Sequence, residues 1–152
     1  MVKDFRFVWS QRARYAEVDA QAVVFNSRYL EYFDIGITEY FRAAGLYPAP
    51  NLQGAPDLHV VKAEVVFHAA VLLDEEMAIC VRCDRIGHTS LTFAFEVHGS
   101  ANGPGGDDLR ASGSEVQVHV DEPRGRPTPV PDAVTALFEA FEGRVLKGLA
   151  PR

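Results

Sequence analysis

The chain has 152 residues, of which 47% are hydrophobic and 24% charged, and its formal net charge at pH 7 is -6. This length fits one ordinary domain and this composition is that of a globular protein, so a disordered chain is excluded. The negative charge and the lack of a concentrated basic stripe exclude a broad nucleic-acid-binding surface. The N-terminal residues 1–9 lack the apolar core of a secretion signal, and no apolar run reaches membrane-spanning length. We therefore expect a cytoplasmic protein with one domain over residues 1–152, no nucleic-acid partner and no membrane span.

The first predicted element is a β-strand. In residues 5–16 the side chains alternate between two faces, which is the period of a strand: one face carries Phe5, Phe7, Trp9 and Gln11, and the other carries Arg6, Val8, Ser10 and Arg12. The connection 17–27 follows, and Asn26 and Ser27 at its end are side chains that commonly cap helices. A helix is therefore expected to begin directly after them.

A long helix is predicted over residues 28–44, because apolar side chains occur almost all round it. Such a helix should be covered on most of its sides. Gly36 in its middle costs about 1 kcal/mol relative to Ala, which another backbone packing close to it would make tolerable. Gly45 is expected to end the helix in the left-handed conformation.

Four further strands and a second helix are predicted downstream. After a proline-rich loop over residues 47–57, the strands are predicted at 59–67, 76–85, 90–98 and 109–120. Short breaks between the strands favour antiparallel pairing. Residues 131–142 form a short amphipathic helix that ends at Gly143. The fold class is therefore α+β, with an antiparallel β-sheet wrapped around one long central helix and a short C-terminal helix.

Cys80 and Cys83 form a Cys-x-x-Cys pattern inside a predicted strand. Residues three apart on a strand point to opposite faces, and a zinc site of this kind would need a second cysteine pair. We interpret them as two separate structural thiols. The five histidines also lack a close metal-ligand spacing, so no metal site is predicted.

Asp19 is followed by residues 22–25 (Ala-Val-Val-Phe), by Asn26 and by Tyr29 at the start of the long helix. This arrangement resembles the motif of the hotdog-fold acyl-CoA thioesterases, specifically the 4-hydroxybenzoyl-CoA thioesterase-like group. The likeness continues through residues 85–93 and the start of the last helix, and so covers nearly the whole chain. It implies the hotdog fold.

The resemblance also implies a function, the hydrolysis of an acyl-CoA thioester to a carboxylic acid and free coenzyme A. Asp19 would act as nucleophile or as general base for water, and a backbone N–H near Asn26 would polarise the carbonyl at the helix N-terminus. No metal or other cofactor would be needed, since coenzyme A is part of the substrate. The assembly would be a homodimer or homotetramer. The expected substrate-binding residues are Tyr29, Val61, Arg85, His88 and Ser90.

Two residues depart from the motif of this group. Ala22 stands where Gly is usual, so the turn must either avoid the left-handed conformation or tolerate it. Asn26 stands where one branch has His and another has an aromatic residue. A general-acid role of that side chain is therefore absent, and the backbone at Asn26 is the better candidate.

Each of the candidate site residues below also fits a purely structural role. An Asp in a loop, such as Asp19, commonly bonds nearby backbone, and the Asn26 side chain is a common helix cap. Tyr29 at the start of an apolar helix is typical of a core residue, and Arg85 is typical of a solvated strand charge.

Other functional hypotheses remain open at this point. Asp34 and Glu39 on the long helix are alternative carboxylates, and a related hotdog group places its catalytic acid on that helix. The altered residues Ala22 and Asn26 also fit a non-catalytic acyl-binding protein. A third hypothesis is a thioesterase that acts on acyl carrier protein, whose acidic surface would require a basic patch.

Overall fold

The structure, a computed structural model, describes residues 2, 4–47, 55–103 and 106–148. Five strands, two α-helices and one short 3-10 turn form in these residues. In chain order they are β1 (Phe7–Arg12), the 3-10 turn (Tyr15–Glu17), α1 (Arg28–Ala44), β2 (Asp57–Phe67), β3 (Glu76–Ile86), β4 (Ser90–His98), β5 (Leu109–Val120) and α2 (Asp132–Glu142). The predicted loop 47–57 lies largely outside the described residues.

The strands form one antiparallel sheet in the order β1-β3-β4-β5-β2, so β1 and β2 are its edges. The register of the first pair places Phe7 opposite Val81 and Arg12 opposite Glu76. The predicted α+β class with an antiparallel sheet is therefore confirmed. Among the described residues, no helix is long and apolar enough to cross a membrane.

The first strand is shorter than the predicted residues 5–16. It ends at Arg12 because the chain then turns through Tyr15–Glu17, where the backbone N–H of Arg14 donates to the Glu17 carboxylate at 2.8 Å. This contact is a property of the folded turn, so a period-2 sequence pattern did not mark the strand end.

The helices match their predictions closely. α1 occupies the predicted residues, and Gly45 behind it has a φ of 89°. α2 begins one residue after Pro131 and ends at Gly143, which has a φ of 70°. Both glycines adopt the left-handed conformation that a side chain would disfavour.

The described residues fall into two compact units, each made of three chain segments. The first unit consists of Met1–Glu39, Glu64–Arg82 and Phe95–Gly113, and the second of Tyr40–Ala63, Cys83–Ala94 and Ser114–Arg152. The single domain over residues 1–152 stays a prediction.

In the first unit, α1 packs closely on β3 at Gly36. A Cβ at Gly36 would lie 2.7 Å from Cγ2 of Ile79 and 3.0 Å from Cγ2 of Val81. The atoms nearest to this position belong to branched side chains of β3 and not to a backbone. One turn earlier, the ring of Phe33 stacks on Phe95 at 4.3 Å between centroids.

In the second unit, an aromatic cluster packs α2 against the end of α1. Phe41 stacks on Phe138 at 5.5 Å between centroids and contacts Phe93 edge-on. Beside them, the Tyr40 hydroxyl donates to the buried Glu142 carboxylate at 2.6 Å. Burial, followed by the nearby Cys83 and Glu142, raises the pKa of Tyr40, so the hydroxyl remains a donor.

Within the single chain, α1 keeps one exposed face. Leu30 is 41% exposed and Asp34 is exposed, whereas Tyr32 and Ile37 are buried. Only five of its seventeen residues are exposed and the other twelve are buried or half-buried, so most sides of the helix are covered as predicted.

Cys80 and Cys83 are free, and both are buried. Burial raises the pKa of the Cys80 thiol to about 12 and also raises that of Cys83. Neither forms appreciable thiolate at neutral pH, so neither is a reactive cysteine. The interpretation as structural thiols is confirmed.

Candidate active site

The turn over residues 19–24, which we call the Asp19 turn, has a left-handed residue in its centre. Ala22 has a φ of 59°, and its backbone N–H donates to the Asp19 carbonyl at 2.9 Å. The Asp19 N–H in turn donates to the Val23 carbonyl at 2.9 Å. The turn therefore tolerates the left-handed conformation at Ala22 instead of avoiding it, at a cost of about 1–2 kcal/mol.

A second segment, residues 70–75, holds the Asp19 turn from the side, and we call it the support segment. The Val24 N–H donates to the Val71 carbonyl, and the Leu73 N–H donates to the Ala22 carbonyl, both at 2.9 Å. Val23 and Leu72 form an antiparallel bridge between these two bonds. The turn is thus fixed by backbone groups on both sides of its strained residue.

The side chain of Asp19 is exposed, and its Oδ1 accepts a hydrogen bond from the Gln21 N–H at 2.8 Å. This is the local bond that a structural turn-forming Asp would make. A carboxylate has about four lone-pair sites on two oxygens, so this one bond leaves acceptor capacity for water. Asp19 therefore makes a structural hydrogen bond and can still accept a hydrogen bond from a reacting water.

The N-terminus of α1 follows directly after the Asp19 turn. The Arg28 N–H donates to the Phe25 carbonyl at 2.9 Å, and the Tyr29 N–H donates to the Asn26 carbonyl at 3.4 Å. The N–H groups of Asn26 and Ser27 have no acceptor among the residues that the structure describes. Unsatisfied N–H groups at the positive end of a helix can stabilise negative charge on an oxygen.

Tyr29 is buried, and its ring makes edge contacts with Tyr32 and Phe67. Burial raises its pKa, although a hydrogen bond with the Val71 backbone acts in the opposite direction. Tyr29 thus packs the start of α1 against Phe67 at the end of β2. Its contact with substrate stays a prediction.

Glu17 is a carboxylate near the turn that the sequence did not single out. Its Oε1 accepts from the Tyr32 hydroxyl at 2.9 Å, and its carbonyl accepts from the Phe25 N–H at 2.9 Å. Burial, followed by the contact with Glu17, raises the pKa of Tyr32. Glu17 therefore fixes the chain where it enters α1. The sequence signal for this role was the position of the carboxylate between the first strand and the Asp19 motif.

The second unit contains three of the expected substrate-binding residues, Arg85 near the end of β3, His88 in the turn that follows and Ser90 at the start of β4. A Cβ at Gly87 would lie 2.8 Å from the Ser90 hydroxyl and 3.8 Å from an Arg85 guanidinium nitrogen, so these two side chains converge. His88 is exposed in the same turn. Lys147, which the sequence did not single out, donates to the Gly87 carbonyl at 3.2 Å. The turn therefore gathers cationic and hydroxyl donors.

Val61 is 62% exposed on the edge strand β2. The strand carries further exposed apolar side chains at Val60, Val66 and Phe67. Its outer edge and these side chains are open in the single chain, so a substrate-binding role of Val61 stays a prediction.

Asp34 lines a shallow pocket on the exposed face of α1, together with Ile35, Thr38 and Glu39. Partial desolvation in this pocket and, to a smaller extent, the charge of Glu31 raise the pKa of Asp34. A carboxylate is a more effective general base when its pKa is raised toward the operating pH. Asp34 therefore remains a second candidate carboxylate.

No group of three or more His, Cys, Asp or Glu side chains among the described residues could hold a metal ion.

A family model described as the thioesterase-like superfamily matches residues 13–138. No curated protein matches the sequence. Among solved structures, a thioesterase complexed with coenzyme A and Zn from Thermus thermophilus is 27% identical, with 95% of this chain and 100% of that chain covered and a TM-score of 0.80.

Two other solved structures share the fold at lower identity. A thioesterase superfamily protein from Jannaschia Sp. CCS1 is 22% identical, covering 97% of this chain and 89% of that chain, with a TM-score of 0.80. A 1,4-dihydroxy-2-naphthoyl-CoA thioesterase from Synechocystis is 15% identical, covering 87% and 94%, with a TM-score of 0.74. The expected hotdog fold is confirmed.

Proposed function

Because the chain belongs to the thioesterase-like superfamily, we propose that it hydrolyses an acyl-CoA thioester to a carboxylic acid and free coenzyme A. The observation that carries this proposal is the Asp19 turn, which presents a carboxylate directly before the N-terminus of α1. This pairs a nucleophile or base with N–H donors for an oxyanion, the two groups that thioester hydrolysis requires.

In the proposed reaction, the thioester carbonyl oxygen accepts hydrogen bonds from the backbone N–H groups at Asn26 and Ser27. As general base, Asp19 takes a proton from water while the water oxygen attacks the carbonyl carbon. The carbon–sulfur bond then breaks, and the sulfur leaves as the coenzyme A thiolate, which takes up a proton. If Asp19 is instead the nucleophile, water hydrolyses the resulting acyl-aspartyl anhydride.

The phosphates of coenzyme A are proposed to bind at the turn between β3 and β4. The support is the convergence of Arg85 and Ser90 at Gly87, with His88 exposed and Lys147 nearby. A guanidinium and a hydroxyl are donors that suit phosphate oxygens. No metal is assigned to the reaction.

A homodimer or homotetramer is proposed because β2 is an open edge of the sheet. It is eleven residues long, and Val60, Val61, Val66 and Phe67 on it are exposed. A long apolar edge strand seeks a partner strand, so pairing between two copies would cover it. The cytoplasmic location also stays a prediction from the sequence.

A panel of aromatic and aliphatic acyl-CoAs, assayed for thiol release, tests the proposal. Turnover of at least one member is expected. Tight binding of acyl-CoA without thiol release would favour the non-catalytic alternative. Thiol release only from acylated carrier protein would replace coenzyme A as the carrier. Asp34→Asn, assayed in parallel, tests the alternative base, and we expect it to keep most of the activity.

A further inference from the structure

Arg110 on β5 is only 8% exposed, and its guanidinium lies between two carboxylates. It donates to both carboxylate oxygens of Glu75 at 2.9 and 2.8 Å, and to both of Asp108 at 3.0 and 2.7 Å. A further bond reaches the Ala70 carbonyl. These bonds use the five N–H groups of a guanidinium, so Arg110 has no donor left for a substrate.

The two carboxylates continue the network into backbone. Glu75 accepts from the Leu72 N–H at 3.0 Å and from the Ser100 N–H at 3.1 Å. Asp108 accepts from the Ala101 N–H at 2.9 Å. Burial acts to raise the pKa of Glu75, but the bonds with Arg110 and these amides outweigh it and hold the pKa below its usual value. Arg110 also lowers the pKa of Asp108, so all three groups stay charged at neutral pH.

The network ends on the support segment, residues 70–75. Arg110 binds the first residue of this segment through the Ala70 carbonyl and the last through the Glu75 side chain. Between these anchors, Val71 and Leu73 make the two backbone bonds to the Asp19 turn. A single guanidinium therefore fixes both ends of the segment that holds the turn.

Stability alone does not account for a network of one buried guanidinium and two half-buried carboxylates at this place. Apolar side chains of similar volume often stabilise a fold as well as buried ions do, because ions lose hydration on burial. What the network adds is a fixed geometry, since a planar guanidinium joins two carboxylates in one orientation. Such geometry matters where Ala22 must be kept in a conformation that it disfavours.

We infer that Arg110 is a positioning residue for the reaction of Asp19: paired with Glu75 and Asp108, it holds the support segment that keeps the Asp19 turn in its left-handed geometry. This inference rests on the proposed function. It predicts that loss of Arg110 lowers kcat, because the carboxylate moves, and leaves KM nearly unchanged, because Arg110 does not touch substrate.

Three variants test the inference. Arg110→Met removes the guanidinium. Arg110→Lys keeps the positive charge but loses the planar arrangement of donors, and this milder variant still tests the inference if Arg110→Met fails to fold. Arg144→Met is the matched control, because Arg144 also donates to backbone carbonyls and pairs with a carboxylate, Asp84, but lies in the second unit.

Hydrogen–deuterium exchange and steady-state kinetics are measured on each variant. Both Arg110 variants are expected to exchange faster at residues 22–24 and 71–73 and to lose roughly 10–100-fold in kcat, with KM within about twofold. Arg144→Met should match the wild type in its exchange at these residues and in its kinetic constants. Adding Ala22→Gly to Arg110→Lys should recover part of kcat, because glycine needs no support in the left-handed conformation.

Unchanged exchange in the turn, or an unchanged kcat, in a folded Arg110 variant would overturn the inference. An equal fall in kcat for Arg144→Met would also overturn it, because the effect would then be general destabilisation. A wild type that hydrolyses no thioester would instead overturn the proposed function, and the exchange data would still decide whether Arg110 holds the turn.

Discussion

Replacing Ala22 by Gly should stabilise this protein, although Ala→Gly substitutions usually destabilise. Ala22 has a φ of 59°, a left-handed conformation that costs a residue with a Cβ about 1–2 kcal/mol. Glycine removes this cost but loses about 0.5–1 kcal/mol through its greater freedom in the unfolded chain. The expected net gain in the free energy of unfolding is about 0.5–1 kcal/mol, which raises Tm by about 1–4 °C for a chain of this size.

The assay is urea and thermal unfolding of the wild type, Ala22→Gly and the control Ala20→Gly. Ala20 lies in the same turn without a positive φ, so its replacement should lower stability by about 0.4–1 kcal/mol. Opposite signs for the two variants would support the left-handed turn. If Ala22→Gly destabilises as much as the control does, the account of the turn is wrong.

Three further predictions concern packing, pH and assembly. Gly36→Ala should lower the free energy of unfolding by up to about 2 kcal/mol in urea titrations, because the overlap of its Cβ with Ile79 costs about 1–3 kcal/mol and the better helix propensity of Ala returns about 1 kcal/mol; a gain in stability would contradict the packing of α1 on β3. The pKa of Glu75 is lower in the folded state than its unfolded value of about 4.3. Ionised Glu75 therefore stabilises the folded protein above about pH 4.3, and this stabilisation is lost as the pH falls through the folded-state pKa. The difference in unfolding free energy between wild type and Glu75→Gln should therefore narrow below about pH 4, whereas a constant difference would contradict the ion pair with Arg110. Val61→Lys on the edge strand should shift the protein toward monomer in sedimentation velocity, and an unchanged mass would exclude pairing through that part of β2.

The helices and strands could be predicted from the sequence because their signals are local. The apolar residues of α1 and the glycine behind it mark that helix without reference to the rest of the chain. Local signals failed where a tertiary contact decided the outcome. The first strand ends at Arg12 because Glu17 bonds back to Arg14, and the neighbours of Gly36 come from β3, whose place beside α1 no periodicity gives.

The residues of the candidate site also fall into two groups, those that a local sequence signal reveals and those that only a tertiary contact reveals. Asp19 and Asn26 could be predicted because they lie in one continuous motif. Arg110 and Glu75 could not, since they are 35 residues apart in the chain and their pairing exists only in the folded protein. Each alone looks like an ordinary charge on or beside a strand. Burial is the feature that separates them from surface charges, and one sequence does not give burial.

The most direct test of the central claim is kcat for Asp19→Asn on the best acyl-CoA substrate, beside the matched variant Asp132→Asn, which alters an exposed carboxylate in the first turn of α2. Asparagine can still accept the Gln21 N–H bond, so the turn is kept while the nucleophile or base is lost. We predict a fall in kcat of roughly 10²–10⁴-fold for Asp19→Asn, with KM changed little and Asp132→Asn close to wild type. A kcat for Asp19→Asn within a few-fold of wild type would remove Asp19 from the reaction.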